Sequence, residues 1–253
     1  MNINQYGEFA HCYDRMMSGV DYKTWVNYLE SFLREYGAHT VLDAACGTGK
    51  ITVALAKDGY TMTGSDISED MLMEARKYSL ENGLRFLPFI CQNMTDLSVH
   101  RPLDAVISTC DGVNYLTTLE DVSLFFLSAS RCLKPGGLLL FDISSEYKLQ
   151  NILGNETFTE ITDDYAYIWN NAYDSESRLI DMELTFFVKK GDTYTRFSEE
   201  HIQRAHRVDE LYELLINAGF SIEGIYQAFT RDEAGTECDR IQFVAKRNEE
   251  KNG

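Results

Sequence analysis

The chain is short of positive charge. It sets 23 lysines and arginines against 40 aspartates and glutamates, a formal net charge of −17. Lys and Arg contacts supply the nonspecific grip on nucleic acid, so this balance argues against a DNA or large-RNA substrate. No local basic patch is visible to offset it. Proline is scarce too, with three in 253 residues, and no Ser/Gly/Pro-rich stretch marks a flexible linker. Internal repeats and low-complexity runs are missing. The six cysteines form no C-x-x-C pair and no Cys/His spacing of a zinc site, so no bound metal is expected. Reduced cysteines in a cytoplasmic protein are the expectation. No apolar run approaches a membrane span, and MNINQYGEFAHCYDRMM lacks the basic and apolar regions of an export signal. What remains is one acidic α/β domain with an insertion.

What the chain does contain is concentrated in VLDAACGTGK, Val41 to Lys50. An apolar strand runs into Asp43, then small residues, then Gly47 and Gly49. A helix pattern follows at once through Ile51, Val53, Ala54, Leu55 and Ala56. Without a Cβ, the two glycines let a ligand press on the backbone and permit positive φ. The amides at the helix N-terminus supply donors for ligand oxygens. Asp66 closes YTMTGSD, nineteen positions after Gly47. An acid at the end of the second strand of such a unit accepts hydrogen bonds from both ribose hydroxyls of a nucleoside. Thr52 stands where a dinucleotide fingerprint has its third glycine, and no Tyr-x-x-x-Lys pair occurs. Both points count against a nicotinamide-dependent oxidoreductase.

The periodicity predicts a helix over Tyr22–Tyr36 and then alternating elements. Strands are expected at Thr40–Ala45, Tyr60–Asp66, Leu84–Cys91, Leu103–Thr109 and Leu138–Ile143. Ser68 reads as an N-cap, and Thr117…Glu120 as a capping box opening a helix to Leu133. This rhythm implies a Rossmann-like, mostly parallel seven-stranded sheet with helices on both faces. Between Phe158 and His206 the period switches to two. An antiparallel insertion of about three strands is expected there, with Lys190-Gly191-Asp192 as a hairpin turn. The domain reading is an α/β domain over 1–150 and 207–253, with a β insertion over 151–206 that covers the substrate or makes a homodimer contact. The chain closes with a helix over Val208–Ala218 and strands at Phe220–Phe229 and Arg240–Ala245.

VLDAACGTGK resembles the first cofactor motif of class I S-adenosylmethionine-dependent methyltransferases. GSDISEDML, CQNM at Cys91–Met94, LDAVISTCDGVNYL and LKPGGLLLFD are similar to the motifs and strands that follow it. With YDRMM, the whole pattern looks like a bacterial branch near glycine and amino-sugar N-methyltransferases. The resemblance implies S-adenosylmethionine as cofactor and a small polar metabolite as acceptor. It implies that the backbone around Ala45 and Gly47 meets the methionine amine and carboxylate, that Asp43 and Gly49 belong to the same cofactor-binding set, and that Asp66 holds the ribose. Ile67 and Met94 would sandwich adenine, Asn93 would read its amino edge, and Met71 and Cys110 would border the cleft. Tyr13, with Tyr6, would fold over the cofactor, and Arg15 would pair with its carboxylate.

Methyl transfer needs alignment and desolvation more than an acid–base pair, so catalytic residues are hard to name. Tyr115 and Asn114 lie in the loop after strand four, and a loop–helix junction role fits them equally well. That loop lacks the N/D-P-P-Y run that grips a flipped base. Within the insertion, Glu200, His201 and Arg204 are the polar candidates, with His201 able to accept a proton or simply sit satisfied in a strand. Tyr165, Tyr167, Trp169 and Tyr173 alternate on one face, as a substrate wall or as packing. Alternatives are an RNA or protein methyltransferase and a non-catalytic module that binds the cofactor.

Overall fold

The computed structural model describes residues 19–249. Tyr6, Tyr13 and Arg15 lie outside the described residues. In chain order the elements are α1 (Tyr22–Glu35), β1 (Thr40–Ala44), α2 (Lys50–Lys57), β2 (Thr61–Asp66), α3 (Glu69–Glu81), β3 (Phe89–Cys91) and β4 (Leu103–Ser108). Then come α4 (Leu119–Cys132), β5 (Leu133–Ser144), a π-helical turn over Lys148–Leu153, and β6 (Thr157–Ile161). The chain continues with β7 (Tyr165–Asp174), β8 (Leu179–Lys190), β9 (Thr193–Arg204), α5 (Val208–Asn217), β10 (Phe220–Gln227) and β11 (Arg240–Arg247).

Seven strands form one sheet in the order β10-β11-β5-β4-β1-β2-β3. Only the pairings of β11 are antiparallel. The central strands are apolar on both faces, as a sheet covered on both sides requires. Val41, Ala105, Ile107, Leu138 and Leu140 turn toward α1 and α2 and bury against Trp25, Leu29, Phe32, Ile51 and Leu55. Their neighbours Leu42, Val106, Leu139 and Phe141 turn the other way, onto Phe125 and Phe126 of α4 and Leu211 and Leu215 of α5. β1 and β4 sit side by side at the centre, and the chain leaves them in opposite directions. Their carboxyl ends therefore frame a crevice, the place where open α/β sheets bind ligands.

Three local readings need correction. The third strand is three residues long, because Pro88 has no N–H to give a ladder; its carbonyl instead accepts from Gly64 N–H at 3.0 Å. α4 is capped by Thr118, not Thr117: its Oγ accepts from Asp121 N–H at 3.1 Å and donates to the Asp121 carboxylate at 2.7 Å. The insertion has four strands, in the order β6-β7-β8-β9. β6 was unseen because Thr157–Ile161 is almost wholly exposed and carries little apolar alternation.

One face of this second sheet is apolar. Tyr167, Trp169, Ile180, Met182, Leu184, Phe186 and Phe197 gather there with Leu149 and Leu153 of the π-helical turn, and Met71 of α3 packs against them. The tyrosine and tryptophan alternation is therefore a packing face. At its near end β9 is tied to the main domain by Asn114. This fully buried side chain donates to the carbonyls of Ser144 (3.0 Å) and Arg204 (2.9 Å) and accepts from Ser144 N–H (3.0 Å). Asn114→Ala would leave those buried groups unpaired and should cost about 3 kcal/mol. Urea unfolding measures this; a loss under about 1 kcal/mol would show that the joint does not matter.

Candidate active site

The bend after β1 is built from left-handed residues. Ala45 (φ 59°), Gly47 (φ 53°) and Gly49 (φ 74°) alternate along it. Cys110 (φ 56°) and Asp111 (φ 57°) repeat the conformation at the end of the neighbouring β4. Such strain in non-glycine residues costs of order 1–3 kcal/mol each and concentrates at functional sites. The two glycines do different work. A Cβ at Gly47 would meet nothing within 4 Å, so that side of the bend is open. A Cβ at Gly49 would lie 3.0 Å from Ala75 and 3.1 Å from Phe89, so Gly49 lets α2 pack against α3 and β3. Of the pair, Gly47 is the one with room for a ligand.

Asp66 braces this bend. One carboxylate oxygen accepts from Gly47 N–H at 2.8 Å and the other from Ser68 N–H at 2.9 Å. Burial raises its pKa, and the backbone N–H groups of Ser68, Gly47 and Ile67 oppose that rise. Ser68 caps α3 in turn, accepting from Met71 N–H at 3.3 Å. Ile67, between them, is 69 % exposed. Asn93 uses its amide oxygen locally, accepting from Thr95 N–H at 3.0 Å, and keeps a second lone pair. Met94 is buried in the main core, and Ser128 Oγ donates to its carbonyl at 2.7 Å.

Asp43 lies beneath the bend, buried, with Thr52 Oγ donating to it at 2.5 Å. The residue in the third-glycine position thus holds a carboxylate. The other Asp43 oxygen has no hydrogen-bond partner among the described residues. Burial pushes this carboxyl up to about 7. Cys46 and Cys110 flank the bend, and burial raises both thiols, which makes them poor nucleophiles.

On the β4 side the loop meets the insertion. Tyr115 Oη lies 3.4 Å from His201 Nδ1, with the rings edge to face. Desolvation raises the Tyr115 phenol and lowers the His201 imidazole, so both are neutral near pH 7. Asn114 belongs to the joint described above, where its amide bonds Ser144 and Arg204. Glu200 and Arg204 sit on β9 at even positions, on the face away from Phe197 and His201.

Sequence reasoning missed a buried ion cluster below this loop. Arg240 pairs with both Asp142 and Asp111, the latter at 2.6 Å. Gln203 Nε2 donates to Asp111 at 2.9 Å, and Asp111 N–H donates to Asp142 at 3.0 Å. No local motif signals it; Arg240 arrives only because β11 pairs antiparallel with β5, opposite Ser144. A cavity of about 790 Å³ opens on the Arg240 side, lined by Lys148, Phe229, Glu237 and Asp239 among others. It does not border Gly47 or Asp66.

These features suit a nucleoside amino acid: an open bend, an acid bonded to it, and an exposed apolar residue, Ile67, next to that acid. Residues 41–137 match the model of a methyltransferase domain. The chain is 38 % identical over 245 residues to a Bacillus subtilis (strain 168) protein named "Putative methyltransferase YqeM", covering 96 % of this chain and 97 % of that one. The crystal structure of an S-adenosylmethionine-dependent methyltransferase from Clostridium acetobutylicum ATCC 824 superposes with a TM-score of 0.88 at 32 % identity. That match covers 96 % of this chain and 99 % of the other. Over 109 residues, 42 % of each chain, it is 33 % identical to the dTDP-3-amino-3,4,6-trideoxy-alpha-D-glucopyranose N,N-dimethyltransferase of Streptomyces venezuelae. The chain belongs to the S-adenosylmethionine-dependent methyltransferases.

Asp43 ties the site to pH. It ionises at its ordinary 3.8 when unfolded and at about 7 in the fold. The fold therefore keeps a proton that the unfolded chain releases. The stability this provides is complete below 3.8 and is lost as pH rises toward 7. Asp43→Asn escapes that loss, so the unfolding free energy of the wild type should fall relative to the variant across this window and run level above it. A constant offset at every pH would contradict this.

Proposed function

We propose that the protein transfers a methyl group from S-adenosylmethionine to an amine or hydroxyl of a small polar metabolite. The observation that carries the reading is the Asp66 carboxylate at an open Gly47 bend. Each oxygen spends one lone pair on a backbone N–H, and each has a second for a ribose hydroxyl. The backbone from Ala45 to Gly47 receives the methionine end of the cofactor. Ile67 covers adenine from the exposed side, Asn93 reads its amino edge, and the buried Met94 supports the opposite side. Met71 and Cys110 border the cleft. The bound cofactor brings an already activated methyl group, so the protein's own task is to align the acceptor and keep water out. The second sheet, resting on Met71 and tied down by Asn114, serves as the roof.

The amino-sugar relative matches less than half of each chain, so the choice of acceptor rests on the site and on charge. A net charge of −17 disfavours RNA. Methyl label given to cell extract and separated by size tests this; label confined to macromolecules would defeat the metabolite reading.

Isothermal titration with S-adenosylhomocysteine should show binding. Asp66→Ala should weaken it at least about tenfold, through lost ribose contacts and a loosened bend. Ile67→Ala should have a smaller effect. No binding to the wild type at millimolar ligand would overturn the assignment.

A further inference from the structure

On β9, Phe197, Glu199, His201 and Gln203 are alternate residues and share one face. Their partners on β8 are Phe186, Leu184, Met182 and Ile180, all in the apolar cluster of the roof, so this is the face turned toward the main domain. Two of the four are tied to the loop after β4: Gln203 is bonded to Asp111, and His201 touches Tyr115. Phe197, farther out, stacks on Phe186 in the apolar cluster. Glu199 lies between Phe197 and His201 on this face, next to the residue that touches Tyr115.

Each carboxylate described above has at least one partner: Asp66 two amides, Asp43 the Thr52 hydroxyl, Asp142 and Asp111 the Arg240 guanidinium. Glu199 is half-buried and has no hydrogen-bond or ion-pair partner among the described residues. Its same-face neighbours are Phe197, Leu184 and a His201 that burial keeps neutral. Desolvation raises its pKa, and nothing opposes that rise. A carboxylate held this way costs free energy unless a partner arrives. The missing partner must be a donor, and a cation satisfies it best.

We infer that Glu199 recognises the methyl acceptor, and that the acceptor is an amine that arrives as a cationic ammonium; one N–H proton passes to the Glu199 carboxylate, and the freed nitrogen lone pair takes the methyl as its bond to sulfur breaks and S-adenosylhomocysteine leaves. An alcohol acceptor has no positive charge for the carboxylate to hold. The inference rests on the cofactor reading above and narrows it from amine or hydroxyl to amine. Glu200, one residue on, points to the opposite face and has no part in it.

The test uses the full chain, with methylammonium chloride and methanol as probes. S-adenosylhomocysteine is first titrated onto the wild type, Glu199→Gln and Glu200→Gln, and all three should bind it alike. The loaded proteins then receive each probe, followed by carboxyl-carbon NMR of labelled glutamate and by calorimetry. Methylammonium should bind the wild type and shift one glutamate resonance that is missing from Glu199→Gln; methanol should not. Glu199→Gln should weaken methylammonium binding about tenfold, and Glu200→Gln should leave it unchanged. Equal responses of the two variants, methanol binding as well as methylammonium, or no methylammonium binding to loaded wild type would each overturn the inference while leaving the cofactor reading intact. Failure of the wild type to bind S-adenosylhomocysteine would instead bring down both.

Discussion

The Asp66 carboxylate holds two pieces of chain that would otherwise be independent. Its oxygens take the N–H of Gly47, in the bend after β1, and the N–H of Ser68, at the start of α3. Charge-assisted bonds of this kind contribute about 1.5–3 kcal/mol each, comparable to the strain of the left-handed residues they restrain. The bend can therefore stay open and left-handed without a side chain to fill it. Under the proposed function that same carboxylate also holds the ribose.

A second constraint sits across the crevice. Asp111 is left-handed at the end of β4 and is held by Arg240 from β11, Gln203 from β9 and the backbone link to Asp142. Asn114, three residues on, ties β9 to the end of β5. The second sheet is thus fixed at its near end by polar bonds and farther out by apolar packing with Met71. This arrangement suits a reaction that needs little chemistry from the protein but exact placement of two reactants in a dry space.

The parts of the site that lie within one βαβ unit could be read from the sequence. Glycine spacing, the acid at the end of β2 and the N-cap Ser68 are local patterns with local physics, and the seven-stranded sheet follows from the strand–helix rhythm. Details failed where a neighbour decides. Pro88 cuts β3 short, Thr118 caps α4 in place of Thr117, and exposed β6 has no pattern to betray it. Gly49 looks like Gly47 in the sequence, yet its space is taken by Ala75 and Phe89. On β9 the sequence offers Glu200, His201 and Arg204 as polar candidates without saying which way each faces. The pairing with β8 puts His201 on the face of the apolar cluster, with Glu199, and Glu200 and Arg204 on the other. Arg240 and Asp142 meet through strand register nearly a hundred residues apart, which no motif encodes.

A crystal structure with S-adenosylhomocysteine tests the central claim most directly. The ribose hydroxyls should lie within hydrogen-bond distance of Asp66, the amino acid end against Ala45–Gly47, and the sulfur toward Tyr115 and β9. A ligand lodged in the cavity beside Lys148 and Arg240, with Asp66 still bonded only to Gly47 and Ser68, would contradict it.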